Sequence, residues 1–313
     1  MKRVLVIGAA GMIGRKLTAR LIREGADELM LHDVVPFEGS TAVSDLSTPG
    51  EAEKLVAKRP DLIFHLAAIV SGEAEADFEK GYRINLDGTR RLFEAVRKEG
   101  GGAAGPYRPK IVFTSSIAVF GAPFPEAIGD EFLNAPLTSY GTQKAIGELL
   151  LSDYSRRGFF DGIGIRLPTI CVRPGKPNKA ASGFFSGILR EPLAGQEAVL
   201  PVPDTVRHWF ASPRAAIEFL IHASKINTEL LGARRNLSMP GLSATIAEEI
   251  ESLRRVAGDK AVRLIRREPD PTIMRIVEGW PRNFDAKRAL ALGFRADPSF
   301  DDIIRYHLQD ELS

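Results

Sequence analysis

The chain has 313 residues, of which 44% are hydrophobic and 26% charged, and its net charge is +2. This balance gives no electrostatic argument for nucleic-acid binding, and no run of about 18 apolar residues is available to span a membrane. The single cysteine, Cys171, excludes an internal disulfide. We therefore expect a globular protein of one large domain, or two smaller ones, in the reducing cytoplasm.

The first predicted element is a β-branched strand at residues 3–7, followed by Gly8, Gly11 and Gly14. A helical pattern then continues to Gly25. This order is typical of dinucleotide binding, because glycines let the backbone approach a pyrophosphate and the helix N-terminus offers it free N–H groups. The alternative interpretation is a tight strand-to-helix turn that binds nothing.

The second predicted strand favours the cofactor interpretation. It covers residues 28–33 and ends in Asp33, which comes 19 positions after Gly14. A carboxylate at this position would accept hydrogen bonds from the adenosine ribose and would repel a 2′-phosphate. We therefore predict NAD, rather than NADP, as the cofactor.

Strands and helices go on alternating, which predicts an α/β fold built on a doubly wound parallel sheet. The strand at 111–114 delivers Ser115 and Ser116 to the carboxyl edge of that sheet, where ligands bind. The other predicted elements in this part are strands at 42–46, from 61 onward and at 161–167, helices at 49–58, 83–99 and 139–157, and a loop at 122–138.

After Val172 the alternation stops and prolines interrupt the chain. We expect 174–205, which shows no clear repeat of strand and helix, to begin a substrate-covering lobe, 206–211 to return to the sheet as a strand, and a helix to follow at 213–224. A helix at 244–257 and a strand at 262–266 come later. The predicted domains are a Rossmann NAD-binding domain of residues 1–173, rejoined by 206–236, and a smaller mixed α/β substrate lobe formed by 174–205 and 237–313.

Tyr140 and Lys144 are four residues apart, so a helix would place them on one face. A free tyrosine has a pKa of about 10, and a neighbouring ammonium lowers it, so Tyr140 could take a proton from a substrate alcohol. The hydroxyl of Ser116 could hold the same oxygen. Taken alone, this spacing more often marks the edge of an amphipathic helix, but the glycine turn favours catalysis.

Together these motifs resemble the extended short-chain dehydrogenases and reductases, the NAD-dependent epimerase/dehydratase family. The resemblance implies that Tyr140 is the base, Lys144 holds the nicotinamide ribose and Ser116 grips the reacting oxygen. Ser116, rather than Ser115, matches the family's catalytic position. The motifs span residues 1–225 and are Gly-x-x-Gly-x-x-Gly at 8–14, Asp33, Asp45-Leu46, His65-Leu-Ala-Ala68, Asn85-x-x-Gly-Thr89, Ser115-Ser116 and Pro136-x-x-Ser-Tyr-Gly-x-x-Lys144.

The resemblance also implies a set of cofactor contacts. Asp45 and Leu46 would flank the adenine, and residues 66–68 would line the cofactor channel. The full predicted set is Gly8, Gly11, Met12, Ile13, Gly14, Asp33, Asp45, Leu46, Leu66, Ala67, Ala68, Asn85, Tyr140, Lys144 and Pro168. No metal site is expected, because the five histidines show no ligand spacing.

The substrate side departs from the sugar-nucleotide members of the family, because Arg207-His-Trp-Phe lacks their acidic residues. The amino-acid sequence most resembles that of the D-erythronate dehydrogenases, a branch that acts on four-carbon sugar acids. Such a substrate carries a carboxylate, which suits the planar fork of arginine. The predicted substrate contacts are Ser71, Ser116, Arg173, Asn178 and Arg207, with a surface or interlobe salt bridge as the alternative role of each arginine.

The leading hypothesis is NAD-dependent oxidation of the 2-hydroxyl of a short sugar acid, D-erythronate to 2-dehydro-D-erythronate. One alternative is a nucleoside-diphosphate-sugar 4-epimerase that keeps its NAD bound. Another is a non-catalytic NAD-binding sensor or scaffold, which the fold alone does not exclude. The expected partner is a small molecule, and the family's habit of pairing helices makes a homodimer one expected assembly.

Overall fold

The structure is a computed structural model that describes residues 3–26, 28–175 and 182–312. Asn178, one of the predicted substrate contacts, lies outside the described residues. The strands are β1 (Arg3–Ile7), β2 (Glu28–Asp33), β3 (Ala42–Val43), β4 (Leu62–His65), β5 (Lys110–Ser116), β6 (Ile128–Gly129), β7 (Asp161–Leu167), β8 (Thr169–Ile170), β9 (Ala198–Leu200), β10 (Arg207–Ala211), β11 (Asn236–Ser238), β12 (Leu242–Thr245), β13 (Ile265–Arg267) and β14 (Phe284–Asp285).

Among the described residues, the α-helices range from 4 to 18 residues in length. They are α1 (Met12–Arg23), α2 (Glu51–Val56), α3 (Ser71–Ala76), α4 (Phe78–Gly81), α5 (Gly88–Gly100), α6 (Ser139–Arg156), α7 (Gly183–Leu193), α8 (Pro213–Lys225), α9 (Ile246–Ala257), α10 (Asp259–Val262), α11 (Pro271–Glu278), α12 (Lys287–Ala291) and α13 (Phe300–His307). A π-helical turn, Tyr82–Asp87, leads into α5, so the helix predicted at 83–99 starts with a wider coil.

The chain forms two compact units, each with its own core. The domain boundaries drawn from the sequence stay a prediction. The first unit comprises Met1–Val119, Thr138–Arg166 and Ile217–Leu237, and the second comprises Phe120–Leu137, Leu167–Ala216 and Ser238–Ser313.

The first unit is built on a seven-stranded sheet in the order β11-β7-β5-β4-β1-β2-β3. β1 pairs in parallel with both β2 and β4, and all four residues of β4 are buried. Such continuous apolar strands are typical of parallel sheets covered by helices on both faces. Phe93, Phe113 and Phe160 are among the residues that fill the core. The predicted α/β doubly wound fold is confirmed, and the turn after β1 lies where the strand order reverses, the usual ligand crevice.

Helix α6 packs closely on β5 in this unit. Thr138 caps its N-terminus by accepting a hydrogen bond from the Gly141 N–H, at 3.0 Å. A Cβ added at Gly147 would lie 2.9 Å from the Phe113 ring, so glycine allows the close approach. The buried face of α6 includes Lys144 and Glu148, and two charged residues there need partners.

The second unit has smaller sheets around a core that includes Cys171, Phe185 and Phe210. Its sheets are β12-β10-β8, β13-β9 and β14-β6. The strand predicted at 206–211 is therefore correct as a strand but wrong in its sheet, because β10 pairs with β8 and β12 instead of the central sheet. An apolar run indicates burial, and it does not indicate which sheet buries it.

Two further stretches of this unit differ in detail from the sequence interpretation. The stretch 174–205, which showed no clear repeat of strand and helix, contains α7 and β9 among its described residues, and Pro192 lies inside the last turn of α7. The prolines of this stretch therefore hide a helix from the sequence pattern. The strand expected at 262–266 begins later, because α10 extends to Val262 and β13 starts at Ile265.

Candidate active site

The glycine turn after β1 has the geometry of a pyrophosphate cradle. Gly8 has a φ of 92°, and a Cβ on Gly14 would lie 2.2 Å from the Gly8 carbonyl oxygen. Gly11, the N-cap residue of α1, has no side chain to satisfy the first N–H groups, and the first turn of this described helix carries no acidic residue. The turn with Met12 and Ile13 therefore fits an anion such as the pyrophosphate of NAD.

The Asp33 carboxylate lies at the end of β2 beside this turn. Its Oδ2 accepts a hydrogen bond from the Ala10 N–H at 2.8 Å, and its Oδ1 accepts from the Val34 N–H at 2.7 Å. The carbonyl of His32 meanwhile accepts from the N–H groups of Gly8 and Ala9. The strand end and the glycine turn are thus held together, which orients the carboxylate predicted to bind the ribose.

Asp45 and the buried Leu46 follow β3 in the first unit. Asp45 accepts hydrogen bonds from Ser47 and from Arg83, whose Nη1 lies 2.6 Å from Oδ2. Burial favours the neutral acid, but the hydrogen bonds from Ser47 and Arg83 outweigh it and lower the pKa of Asp45. Arg83, which no sequence pattern singled out, therefore fixes a residue predicted to flank the adenine.

The loop predicted to line the cofactor channel, residues 66–68, follows β4 and is half-buried. Asn85 is buried and holds the next residue, Ile69, by accepting from its N–H at 2.9 Å and donating to its carbonyl at 3.2 Å. The Asn85 amide also donates to Gln143 of α6 at 2.8 Å. Asn85 thus ties the loop to the helix of Tyr140, and Ser71 begins α3 two residues after Ile69.

Tyr140 and Lys144 lie on successive turns of α6, as predicted. The Lys144 Nζ lies 5.8 Å from the centre of the Tyr140 ring and donates to the Thr114 carbonyl at 2.8 Å. Only 3% of Lys144 is exposed. Burial lowers the pKa of Lys144 to about 8, although the negative charge of Glu148 opposes that change.

The two serines at the end of β5 have different surroundings. Ser115 is buried, and its Oγ donates to the Glu148 carboxylate at 2.5 Å. Ser116 is half-buried, and its Oγ accepts from the Ala118 N–H at 3.1 Å. The contacts of Ser115 are those of a residue that joins β5 to α6, which leaves Ser116 as the serine proposed to meet substrate.

His65 at the end of β4 is a packed residue. Its Nε2 lies 2.8 Å from the Thr89 hydroxyl, and the side chain is 1% exposed. Burial and the nearby Lys144 ammonium lower the pKa of His65 to about 3, so its ring is neutral in the physiological range.

The remaining predicted residues belong to the second unit. Pro168 is buried between β7 and β8. Arg173 donates from Nε to the Ile170 carbonyl at 3.0 Å and from Nη2 to the Ser182 hydroxyl at 2.7 Å. Arg207 forms an ion pair with Glu248 at 3.2 Å, and Glu248 also completes the capping box of α9 with Thr245. The charge of Arg207 is thus partly neutralised within its own unit.

Residues 3–26, 28–175 and 182–312 contain no group of three His, Cys, Asp or Glu side chains placed to hold a metal ion. No helix within the same ranges is long and apolar enough to cross a membrane.

The fold and the glycine turn are typical of dinucleotide-binding proteins, and comparison with known proteins identifies the family. The model of the NAD dependent epimerase/dehydratase family matches residues 4–211. The chain therefore belongs to this family, as the sequence motifs predicted, and is an NAD-dependent oxidoreductase.

Individual relatives are similar along nearly their whole length. The chain is 46% identical to the D-erythronate dehydrogenase of Cupriavidus necator over 98% of both chains. It is 40% identical to that of Haemophilus influenzae, over 99% of this chain and 100% of the relative. Among solved structures, it is 66% identical to a protein of Agrobacterium tumefaciens described as a nucleoside-diphosphate-sugar epimerase, with a TM-score of 0.94 over 99% of this chain and 94% of the other.

Proposed function

We propose that this protein oxidises the 2-hydroxyl of a short sugar acid with NAD, converting D-erythronate to 2-dehydro-D-erythronate. The observation that carries the chemistry is the buried Lys144 ammonium beside the Tyr140 ring, at 5.8 Å from its centre. The substrate is suggested by the two D-erythronate dehydrogenases that match the chain over nearly its full length.

Each of three side chains has one role in this proposal. Tyr140 removes the proton of the 2-hydroxyl, and the Lys144 charge favours its phenolate. Ser116 donates a hydrogen bond to the same oxygen while it becomes a carbonyl. NAD, when bound, accepts the hydride that leaves C2, so the alcohol loses one proton to Tyr140 and two electrons with the other hydrogen.

The proposed cofactor contacts are the residues predicted from the sequence. The N–H groups at the start of α1, in the turn of Gly8, Gly11 and Gly14, hold the pyrophosphate, and Asp33 binds the adenosine ribose. Lys144 holds the nicotinamide ribose. Arg173 or Arg207 is the proposed partner of the substrate carboxylate, and a homodimer stays a prediction.

The second candidate is a sugar-nucleotide epimerase. The description of the Agrobacterium tumefaciens protein, which is 66% identical, favours it. An epimerase would use the same base but return the hydride to its intermediate, so no NADH would accumulate. The sequence around Arg207 speaks against it, because the acidic residues common in sugar-nucleotide enzymes are missing there.

The experiment is a measurement of NADH formation by the purified protein with NAD. One panel holds four- and five-carbon aldonates, D-erythronate included, and the other holds UDP- and dTDP-sugars. We expect one NADH for each D-erythronate consumed and none from the sugar nucleotides. Epimer exchange in a sugar nucleotide without net NADH, together with no reaction of the aldonates, would replace this proposal by the second candidate.

A further inference from the structure

The interior of the first unit holds a charged cluster that the proposed chemistry does not use. Glu148 lies on α6 one turn after Lys144 and is 1% exposed. Its carboxylate accepts from the Arg166 Nε at 2.9 Å and from Nη2 at 2.7 Å, in the fork geometry of a two-point ion pair. The Ser115 hydroxyl donates to the same carboxylate at 2.5 Å.

General stability is a poor explanation for this cluster. Removing two charges from water carries a large desolvation cost, and a buried ion pair often stabilises a protein no more than apolar side chains of the same volume would. A buried pair with well-satisfied hydrogen bonds instead limits the arrangements that its elements can adopt. Here Glu148, Arg166 and Ser115 join α6 to the ends of β7 and β5.

Two adjacent residues of β5 are fastened to two successive turns of α6. The Thr114 carbonyl accepts from Lys144, and the Ser115 hydroxyl donates to Glu148. Ser116 is the next residue of the strand. Because both hydrogen bonds connect the same strand end to the same helix, they determine how Ser116 lies relative to Tyr140.

The charge of Glu148 also acts on Lys144. The groups that face this ammonium are Tyr140 and Glu148 on α6, the Phe113 ring on β5 at 5.0 Å, and His65 on β4. His65 is neutral in the physiological range, because burial lowers its pKa. Glu148 therefore provides the negative charge that favours the protonated lysine, against the effect of burial.

We propose that Glu148 is a positioning residue that fastens the end of β5 to α6, with Arg166 holding it, and that it supplies a negative charge one helical turn from Lys144. The role rests on the proposed function in one respect, since it assumes that Tyr140, Lys144 and Ser116 are the reacting set. The two parts of the role, position and charge, can be separated by substitution.

The test compares three variants in the full chain. Glu148→Gln keeps an acceptor for Ser115 but loses the charge, Glu148→Asp keeps the charge but shortens the side chain, and Ser115→Ala removes one hydrogen bond with no change in charge. Glu99→Gln is the control, because Glu99 pairs with Arg59 in the same unit at similar distance, 2.9 Å, away from α6.

Two readouts are taken across pH 6 to 10. The first is kcat with D-erythronate, and the second is NADH binding, followed by the cofactor's own fluorescence, which needs no substrate. For Glu148→Gln we expect a loss in kcat of about 10- to 100-fold and a fall in NADH affinity that begins about one pH unit lower than in the parent. We expect kcat to fall several-fold in Glu148→Asp and in Ser115→Ala. In both variants, NADH affinity should begin to fall at the same pH as in the parent.

Several results would overturn the proposal. If NADH affinity begins to fall at the same pH in Glu148→Gln as in the parent, the role of the charge is excluded. If kcat in Ser115→Ala and Glu148→Asp stays within about twofold of the parent, the role in positioning is excluded. Should Glu148→Gln fail to fold, the double variant Glu148→Gln/Arg166→Gln, which removes both charges, decides the first question. A parent that turns over no aldonate contradicts the proposed function, while its NADH titrations still decide the role of Glu148.

Discussion

Helices α6 and α9 each bury one glutamate, and the two glutamates have opposite surroundings. Glu148 on α6 is 1% exposed and shares an ion pair with Arg166. Glu249 on α9 is 0% exposed, and neither of its carboxylate oxygens has a hydrogen-bond partner among the described residues. Burial raises the pKa of Glu249 well above its usual range, because the apolar surroundings favour the neutral acid.

The two units use their buried acids in different ways. In the first unit the paired charge restricts the arrangement of α6 and β5, next to Tyr140 and Lys144. In the second unit the unpaired acid in the apolar core makes no such link, and it couples stability to pH instead. Burial alone therefore does not reveal the role of a glutamate, whereas its partners do.

The largest expected effect comes from the helix with the paired glutamate. Tyr140→Phe should lower kcat by about 10²- to 10⁴-fold, because the variant has no group to take the substrate proton. NADH binding should remain within a few-fold of the parent. Tyr154→Phe, on the same helix, is the matched control and should keep its activity. If Tyr140→Phe retained its turnover, α6 would not supply the catalytic base. The functional contrast between α6 and α9 would then be lost.

The second effect is on stability, measured as the free energy of unfolding in urea at pH 7. Glu148→Leu should lose about 3–5 kcal/mol, because the largely buried Arg166 is left without its carboxylate. Glu249→Leu should change stability by less than about 1 kcal/mol or increase it, because an unpartnered polar group is replaced by an apolar one. Equal losses in the two variants would mean that Glu249 has a partner in solution.

The third effect is on the KM for the substrate in variants of the two candidate arginines, Arg173 and Arg207. Arg207 forms an ion pair with a residue in the first turn of α9. Arg207 already shares its charge with Glu248, the neighbour of Glu249. Because this pairing uses part of the charge of Arg207, we expect Arg207→Gln to raise the KM for D-erythronate by less than about tenfold, whereas loss of the arginine that holds the substrate carboxylate should raise it by about 10- to 100-fold. The KM for NAD should not change in either variant. A larger rise in Arg207→Gln would assign the substrate carboxylate to Arg207.

The smallest effect is the pH dependence of stability that Glu249 confers. Its folded pKa is raised above the unfolded value of about 4.3, so below that pH both states hold the proton and no difference arises. Above it only the unfolded chain releases the proton, and the free energy of unfolding falls by up to about 1.4 kcal/mol per pH unit until the folded carboxyl also ionises. As the pH rises from 4.5 to 6.5, the free energy of unfolding of Glu249→Gln should therefore increase relative to that of the parent.

Glu248→Gln is the control for this measurement, with the opposite sign. The backbone hydrogen bond from Thr245 is the largest of the effects that lower the pKa of Glu248, so its stabilisation is present above the unfolded pKa and is lost as the pH falls. The parent should therefore exceed Glu248→Gln at pH 6.5, and the difference in the free energy of unfolding should shrink as the pH falls below the unfolded pKa of about 4.3. A parallel pH profile for Glu249→Gln and the parent would show that Glu249 is ionised in the folded state.

Local patterns account for the features that could be predicted from the sequence. The glycine turn, Asp33 at a strand end and the spacing of Tyr140 and Lys144 each lie within one strand–helix unit, where period and spacing translate directly into geometry. The family's motifs added the order of these units along the chain. The predicted fold and family are confirmed, and the roles of the site residues stay proposals.

The features that escaped prediction depend on residues far apart in the chain. Arg166 is 18 positions from Glu148, and Arg83 is 38 positions from Asp45. No local pattern indicates either pair, although a glutamate one turn after Lys144 was a visible signal on the predicted helix. The same limit explains why β10 was assigned to the wrong sheet, since pairing with β8 and β12 is decided by the packing of the second unit.

The most direct test of the proposed oxidation at the 2-hydroxyl follows the hydrogen atom on C2 of the substrate. D-erythronate labelled with deuterium at C2 is supplied with NAD, and the nicotinamide product is analysed by mass spectrometry. Oxidation at the 2-hydroxyl predicts one deuterium in each NADH formed, together with one equivalent of the 2-keto acid. Unlabelled NADH would show that another carbon is oxidised, and the absence of NADH would contradict the dehydrogenase proposal.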